Sequence, residues 1–345
     1  MLTPDFLRNA WYVAGLSETF GHHLTPLRIL GEDLVFFRRN DGSVAALEDA
    51  CPHRKLPLSN GSLDGDRVIC GYHGLTFDGA GVCVAAPTQP DAIPRRARVA
   101  SQPTAERYGF VWVWMGQGEP GPLIDIAQFD NPSWGRTDRG AMDIACHYLW
   151  VMDNLLDPSH VAWVHLTSFA GAGTDNTPLT ITETEDGLIV WRWILDTAAP
   201  PYYAPFLDFA QHCDRKQHYE CRLPSVAINK SVYTPAGTAA EDGALPADAF
   251  VNYSYNFMTP VDADNTRYFW FQHRNSRPED HDMSARMFAG ATMAFNEDKD
   301  VLERVHLGMK APRTPYLNLG LDAGAMRFRL MTERQVAVER AAASG

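Results

Sequence analysis

Two short loops carry the side chains best suited to holding a metal: Cys51-Pro52-His53-Arg54 and Cys70-Gly71-Tyr72-His73-Gly74. Each offers one thiolate and one imidazole, and sixteen residues separate His53 from Cys70. Loops of the form Cys-x-His and Cys-x-x-His at this separation can close on one metal centre. A structural zinc ion held by two cysteines and two histidines is one reading. Zinc modules more often draw paired cysteines from one knuckle, whereas here each loop mixes the ligand types. That mixture suits a [2Fe–2S] cluster with two cysteines on one iron and two histidines on the other.

A second concentration lies at 153–165, where Asp153, Asn154, Asp157, His160 and His165 stand among Leu155, Leu156, Val161, Trp163 and Val164. Polar groups this dense in apolar company need a metal or a hydrogen-bond network. On a helix, 154 and 157 share a face, as do 157 and 160. His160 and His165 are five apart, about 140° around an ideal helix. Both can reach one ion only if the helix bends, bulges or ends between them. Pro158 precedes both and suits a first-turn position instead. A third ligand is offered by Asp298, which helical spacing sets beside Ala294, Phe295, Val301 and Leu302 on an apolar stripe. Glu297 and Lys299 read as a solvated face. A carboxylate on a buried stripe needs a cation or hydrogen bonds, so a core salt bridge is the plain alternative. Two histidines and one carboxylate also make the facial triad of non-haem Fe(II) oxygenases.

Cys51-Pro52-His53-Arg54 followed by Cys70-Gly71-Tyr72-His73-Gly74-Leu75-Thr76-Phe77 resembles the Rieske domain of ring-hydroxylating oxygenases. Asn9-Ala10-Trp11-Tyr12-Val13-Ala14 is similar to the opening of the vanillate and dicamba O-demethylase branch. The resemblance runs over nearly the whole chain. It implies an α+β protein: a small antiparallel β Rieske domain over residues 1–120, then a helix-grip-like domain over 121–345, its antiparallel sheet covered by helices. It implies Cys51, His53, Cys70 and His73 as cluster ligands, and His160, His165 and Asp298 as ligands of a mononuclear Fe(II). Asp157 matches the family's bridging aspartate, accepting N–H bonds from His73 of a neighbouring subunit and from His160, in a head-to-tail homotrimer. A helix N-cap is the plain alternative for Asp157. Asn154 is expected beside the iron, or else as a buried amide.

The activity implied is that of the oxygenase component of a Rieske monooxygenase. A reductase, directly or through a ferredoxin, passes electrons from NAD(P)H to the cluster, and onward through Asp157 to the iron, where O2 reacts. By resemblance the substrate is a methoxylated arene, often bearing a carboxylate, which loses its methyl carbon as formaldehyde and leaves a phenol. Methyl hydroxylation, N-demethylation or ring hydroxylation would use the same ligands. An electron carrier without oxygenase activity is a reading of another class, but it would need little beyond the β domain.

These side chains need elements to position them. From Trp11 to about Met115 the chain reads as short strands, with Leu27–Leu30, Leu34–Arg38, Val44–Leu47 and Tyr108–Trp114 the clearest. Asn40-Asp41-Gly42 is a turn signal. Gly116–Pro122 has linker chemistry. Beyond about Gly135, Leu188–Trp193 and Tyr268–Phe271 read as strands, Ser276–Lys310 has helical spacing, and Leu321–Ala343 reads as a C-terminal helix with a frayed, alanine-rich end. Gly74, Gly79 and Gly81 fit tight turns.

Residue types alone place the pocket less firmly. Asn229 and Asn256 interrupt strand-like stretches and could anchor a substrate carboxylate or hydroxyl, or serve as structural amides. Phe288 and Trp163 are candidates for pocket wall or plain core. Leu195–Phe209, with its run Pro200–Phe206, suits a lid or simple loop packing. Cys83, His147, His212, His218, His273 and His306 are expected to be structural.

Composition narrows the partners. The 345 residues are 45% hydrophobic and 21% charged, with a net charge of −12, and no Lys/Arg cluster stands out. Nucleic acid and anionic membranes are therefore not expected partners, whereas a basic patch on another protein is compatible. The run Phe110–Met115 is too short to span a bilayer. The start, Met1–Asp5, lacks the basic region of a signal peptide. Six scattered cysteines do not make a disulfide framework, which points to the cytoplasm.

Overall fold

In the computed structural model, residues 5–174, 176–209, 212–239, 244–311 and 313–343 are described. Met1–Pro4, on which the reading of the N-terminus partly rests, lie outside them. The described chain divides into two compact units: Phe6–Ile124 with Thr259–Ala263, and Asp125–Met258 with Asp5 and the residues from Asp264 onward.

The first unit holds three small sheets. Its central strand, Glu32–Arg38, is apolar on both faces. Leu34 and Phe36 enter one core with Tyr12, Phe20 and Val113, while Val35 and Phe37 enter another with Leu47, Leu58 and Phe77. Strand alternation, applied between two cores, explains why this strand reads as a continuous apolar run. The turn before it is Leu30-Gly31, both at positive φ (52° and 80°), so the strand begins at Glu32, two residues before the apolar run Leu34–Arg38 read from the sequence. Tyr108-Gly109 likewise turn at φ 62° and 77°, and the following strand starts at Phe110. Asn40-Asp41-Gly42 turns as expected, with Gly42 N–H donating to Arg39 O.

The second unit is built on an eight-stranded sheet. Gly187–Ala198, His212–Arg222, Val226–Pro235 and Phe250–Pro260 pair antiparallel in sequence order. Thr266–Arg274 follows at the next position and also pairs with Gly135–Arg136 and Gly140–Ile144. Among the described residues four α-helices accompany the sheet: α1 (Tyr148–Leu156), α2 (Val161–Val164), α3 (His281–Lys310) and α4 (Ala323–Ala343). Helix α3 starts at the cap Asp280, whose carboxylate accepts from Met283 N–H at 2.8 Å. The five residues before it, read as helical from sequence, are not: Arg277 has φ 44° and Pro278 follows it. The buried stripe of α3 is Met283, Met287, Ala291, Ala294, Asp298, Leu302 and His306. Val301, expected on that stripe, is exposed.

The 195–209 segment is packed against α3, and its Tyr203 also lines a cavity. Tyr202, Tyr203 and Phe206 are buried with Met283 and Met287, and the Tyr202 ring stacks on Phe169 at 4.1 Å between centroids. Among the described residues no helix is long and apolar enough to cross a membrane.

Candidate metal centres

The two cysteine–histidine loops fold alike. Cys51 N–H donates to Leu56 O at 2.9 Å and Lys55 N–H donates back to Cys51 O at 2.8 Å. Cys70 N–H donates to Leu75 O at 2.8 Å and Gly74 N–H to Cys70 O at 3.0 Å. In each loop the residue four after the cysteine is left-handed, Lys55 at φ 59° and Gly74 at φ 71°. Only the second loop uses the residue that adopts this conformation without steric cost.

These knuckles bring the ring centroids of His53 and His73 to 4.6 Å. Cys51 and Cys70 are buried free thiols in the same apolar core. Burial, and then the neighbouring Cys70, push the Cys51 thiol above its ordinary pKa. Two thiols so placed are stable as thiolates only beside a cation. His73 Nδ1 is buried with no hydrogen-bond partner. An orphaned imidazole nitrogen beside two thiols fits a ligand position, so the donor set suits a two-cysteine, two-histidine iron–sulfur cluster.

The second centre is made by a helix that stops. Residues before proline avoid the helical region, and Asp157 leaves α1 at φ −104°, ψ 94°. Pro158 is therefore the terminator of α1, not the first turn of a continuing helix, and 154, 157 and 160 do not share a helical face. The Asp157 carboxylate accepts from Ser159 N–H at 2.7 Å, which shapes the turn into α2. Helix α2 is a single turn, with His160 as its N-cap and His165 as its C-cap. The 140° conflict disappears because both histidines stand at helix ends.

Their other ring nitrogens are fixed. His160 Nδ1 lies 2.5 Å from Asp157 O, and His165 Nδ1 lies 2.7 Å from Glu297 Oε2. Carbonyl and carboxylate oxygens only accept, so Nδ1 carries a hydrogen in both rings, which makes Nε2 the atom that binds a metal once its own proton is off. Both Nε2 atoms face Asp298 Oδ1, at 3.5 Å and 3.2 Å. His160, His165 and Asp298 offer ligand atoms all within 4.8 Å of one another. Ligands on one face of an octahedral ion with bonds of about 2.1 Å sit about 3 Å apart, which matches two of these separations. Burial lowers the His165 pKa, but Asp298 and then Glu297 outweigh it and the net direction is up.

Around this triad the expected residues distribute unevenly. Asn154 Nδ2 donates to Asp298 Oδ1 at 3.1 Å, while its buried Oδ1 has no partner. Asp153 instead pairs with Arg329 of α4. The link from His160 to Asp157 runs through the backbone carbonyl, not through the carboxylate that the resemblance implied. Glu297, read as solvated, is the hydrogen-bond partner of His165. One sequence signal pointed to it: a ligating histidine usually donates its second N–H to a carboxylate.

A cavity opens over the triad, lined among others by Phe169, Tyr203, Arg215, Tyr219, Asn229 and Phe295. Asn229 is in this lining, with its Nδ2 donating to Leu155 O at 3.1 Å. Asn256 is not: its amide nitrogen serves Ala227 O, Asn229 Oδ1 and Ser254 O, and its Oδ1 accepts from Tyr268 OH. Phe288 stacks on Trp270 outside the lining. Trp163 is 76% exposed and stands outside the lining. Arg215 was not anticipated. Its position on an alternating strand gave the parity but not the element it would face.

The comparisons agree with this geometry. Residues 10–103 match the Rieske [2Fe-2S] domain, and residues 144–337 match the vanillate O-demethylase oxygenase C-terminal domain. The vanillate O-demethylase oxygenase subunit of a Pseudomonas sp. is 33% identical over 347 residues, 98% of this chain and 97% of that one. The toluene-4-sulfonate monooxygenase system iron-sulfur subunit of Comamonas testosteroni is 32% identical over 346 residues, 97% and 98% of the two chains. Dicamba monooxygenase bound to 3,6-dichlorosalicylic acid is a structural neighbour with a TM-score of 0.88, 29% identity and coverage of 98% and 99%. The same enzyme with non-haem iron and dicamba gives 0.79 at 28% identity, with coverage of 98% and 99%. A Rieske cluster and a mononuclear non-haem iron are accordingly this chain's metals, and it is an oxidoreductase that uses O2. By both domain matches and by near full-length similarity, the chain belongs to the Rieske non-haem iron oxygenases, in the branch carrying the vanillate O-demethylase oxygenase C-terminal domain.

Proposed function

We propose that this chain is the terminal oxygenase of a Rieske monooxygenase system that O-demethylates a methoxylated arene. The observation that carries the reading is the convergence of His160, His165 and Asp298 beneath a lined cavity. When bound, the two metal centres supply the electrons and the activation of O2. One oxygen atom enters a methyl C–H bond. The other leaves as water, taking two electrons and two protons. The resulting hemiacetal breaks its C–O bond to give a phenol and formaldehyde.

The chain's own groups then have distinct tasks. Residues 1–120 form the Rieske domain, in which Cys51, His53, Cys70 and His73 hold the cluster, and residues 121–345 form the catalytic domain. His160, His165 and Asp298 hold the iron. Asn154 fixes one carboxylate oxygen of Asp298, and Glu297 fixes the His165 ring. Asp157 is the carboxylate through which His73 of one subunit meets the His160 segment of the next, in a head-to-tail homotrimer working in the cytoplasm. Asn229 contributes to the pocket, whereas Asn256, Phe288 and Trp163 do not. A separate reductase, alone or with a ferredoxin, brings electrons from NAD(P)H. Relatives named as oxygenase components support that division of labour.

The test is formaldehyde release. The protein, supplied with a surrogate reductase and NADH, is screened against methoxylated benzoates, phenols and anisoles. Formaldehyde formed in step with NADH consumption supports the reading, and its absence with every substrate sinks it. Similarity to a toluene-4-sulfonate monooxygenase subunit favours one second reading, hydroxylation of an aryl methyl group. In that case methylated arenes give benzylic alcohols without formaldehyde.

A further inference from the structure

Strand alternation turns Cys213, Arg215, Gln217, Tyr219 and Cys221 to one side of the strand His212–Arg222. Arg215 is therefore inside, only 2% exposed, and lines the cavity above the triad. A guanidinium cannot shed its charge by losing a proton, so its burial demands acceptors for five N–H donors.

Few are supplied. Arg215 Nη2 donates to Ala172 O at 2.7 Å and to Thr174 Oγ1 at 2.8 Å. Among the described residues its Nε is buried with no partner. Among the described residues no carboxylate lies within ion-pair distance of it. The adjacent Asp214 is engaged elsewhere: it accepts from the backbone N–H groups of Asp196, Gly237, Thr238 and Ala239. Space has been cleared for the charge, since a Cβ on Gly171 would lie 2.9 Å from Nη1 and 3.0 Å from Nη2. The comparison with Arg274, another fully buried arginine, is informative. Arg274 also has an unpartnered Nε among the described residues, but it spends both Nη1 and Nη2 on Ser284 Oγ, Arg277 O and Asp280 O at the start of α3, and it lines no part of this cavity.

A buried cation on a cavity wall, with donor capacity left over and no counter-ion, is completed by an anion in the cavity. We infer that Arg215 is the anion anchor of the substrate pocket, and that the substrate is an aromatic acid whose carboxylate or sulfonate oxygens pair with its guanidinium. This rests on reading the cavity as the oxygenase pocket. It assigns the charged end of the substrate to the strand His212–Arg222 and the reacting end to the triad.

The experiment measures binding in the absence of O2, on the iron-loaded protein. The probes are the three positional methoxybenzoates, the corresponding methoxybenzenesulfonates and the neutral methoxybenzamides. At least one anion is expected to bind about tenfold or more tightly than its amide, the scale of a charged hydrogen bond. In Arg215→Gln that preference falls below about threefold while amide affinity stays within about twofold. Arg215→Lys, which keeps the charge, restores part of the preference; a purely structural arginine would leave Lys and Gln alike. Retained iron content and retained amide affinity confirm that the catalytic domain of each variant is folded. Equal binding of acids and amides by the unmodified protein, no acid binding at all, or a preference that survives Arg215→Gln overturns the assignment. Arg215-dependent binding without formaldehyde release leaves the anchor standing and defeats O-demethylation. Formaldehyde released equally from neutral and anionic methoxyarenes does the reverse.

Discussion

His165 Nδ1 and Glu297 Oε2 lie 2.7 Å apart, 132 residues distant in sequence. Glu297 thereby holds the imidazole with its Nε2 toward Asp298, on the same helix that supplies Asp298 itself. Glu297→Gln should lower iron affinity by about 10- to 100-fold, the usual effect of losing such an orienting carboxylate. Iron titration monitors the loss, and the cluster absorption should be unchanged. Unaltered iron affinity would reduce Glu297 to a surface contact.

Asp157 is expected to act on electron transfer without touching metal binding. Its side chain serves Ser159 N–H, and His160 is held by its backbone carbonyl. Asp157→Asn keeps an oxygen for Ser159, so both metals should stay bound. Reoxidation of the reduced cluster in the presence of substrate and O2 should slow by about tenfold or more. Unimpaired turnover would remove the inter-subunit bridge from the proposal.

His273 is a source of pH dependence outside both ligand sets. Burial, helped by Arg136 and Arg139, lowers its pKa from 6.5 to about 3, and neither ring nitrogen has a partner. The folded-state pKa is depressed, so the unfolded chain binds the proton first as pH falls. Stability is complete above about 6.5 and drains away toward pH 3, by about 2 kcal/mol between pH 7 and pH 5. His273→Phe, placed among Phe129, Tyr255 and Phe271, should flatten that portion of a melting-versus-pH curve. Parallel curves would contradict it.

Two glycines of α3 should respond oppositely to alanine. A Cβ on Gly290 would stand 2.5 Å from Tyr202 Cε2, whereas one on Gly308 meets nothing within 4 Å. Gly290→Ala should destabilise by about 1–3 kcal/mol, through overpacking. Gly308→Ala should stabilise by about 0.5–1 kcal/mol, through helix propensity. Chemical denaturation of the two variants reads both signs.

How much of this was visible in the sequence differs from residue to residue. The ligand loops were legible because thiols and imidazoles at fixed short spacing have few alternative uses. Asp298 was legible because a carboxylate on a helical apolar stripe violates the pattern around it. The break between α1 and α2 is not legible, because Pro158 suits a helix start as well as the stop that it makes here, and both are common proline positions. Glu297 and Arg215 were missed for a related reason. Each is a long, flexible charged side chain whose partner comes from a remote segment, and local periodicity carries no information about that partner.

The triad also alters how the domain can be assembled. Asn154 and Asp298 meet across 144 residues of sequence, and most of the eight-stranded sheet lies between them. A metal ion bridging α2 to α3 ties together segments that far apart in sequence, and it stabilises the folded domain by binding it and not the unfolded chain. Its ligand set does not exist until the intervening strands have folded and α3 has docked. Iron is thus admitted only by a finished domain, and once admitted it is a lock on that domain.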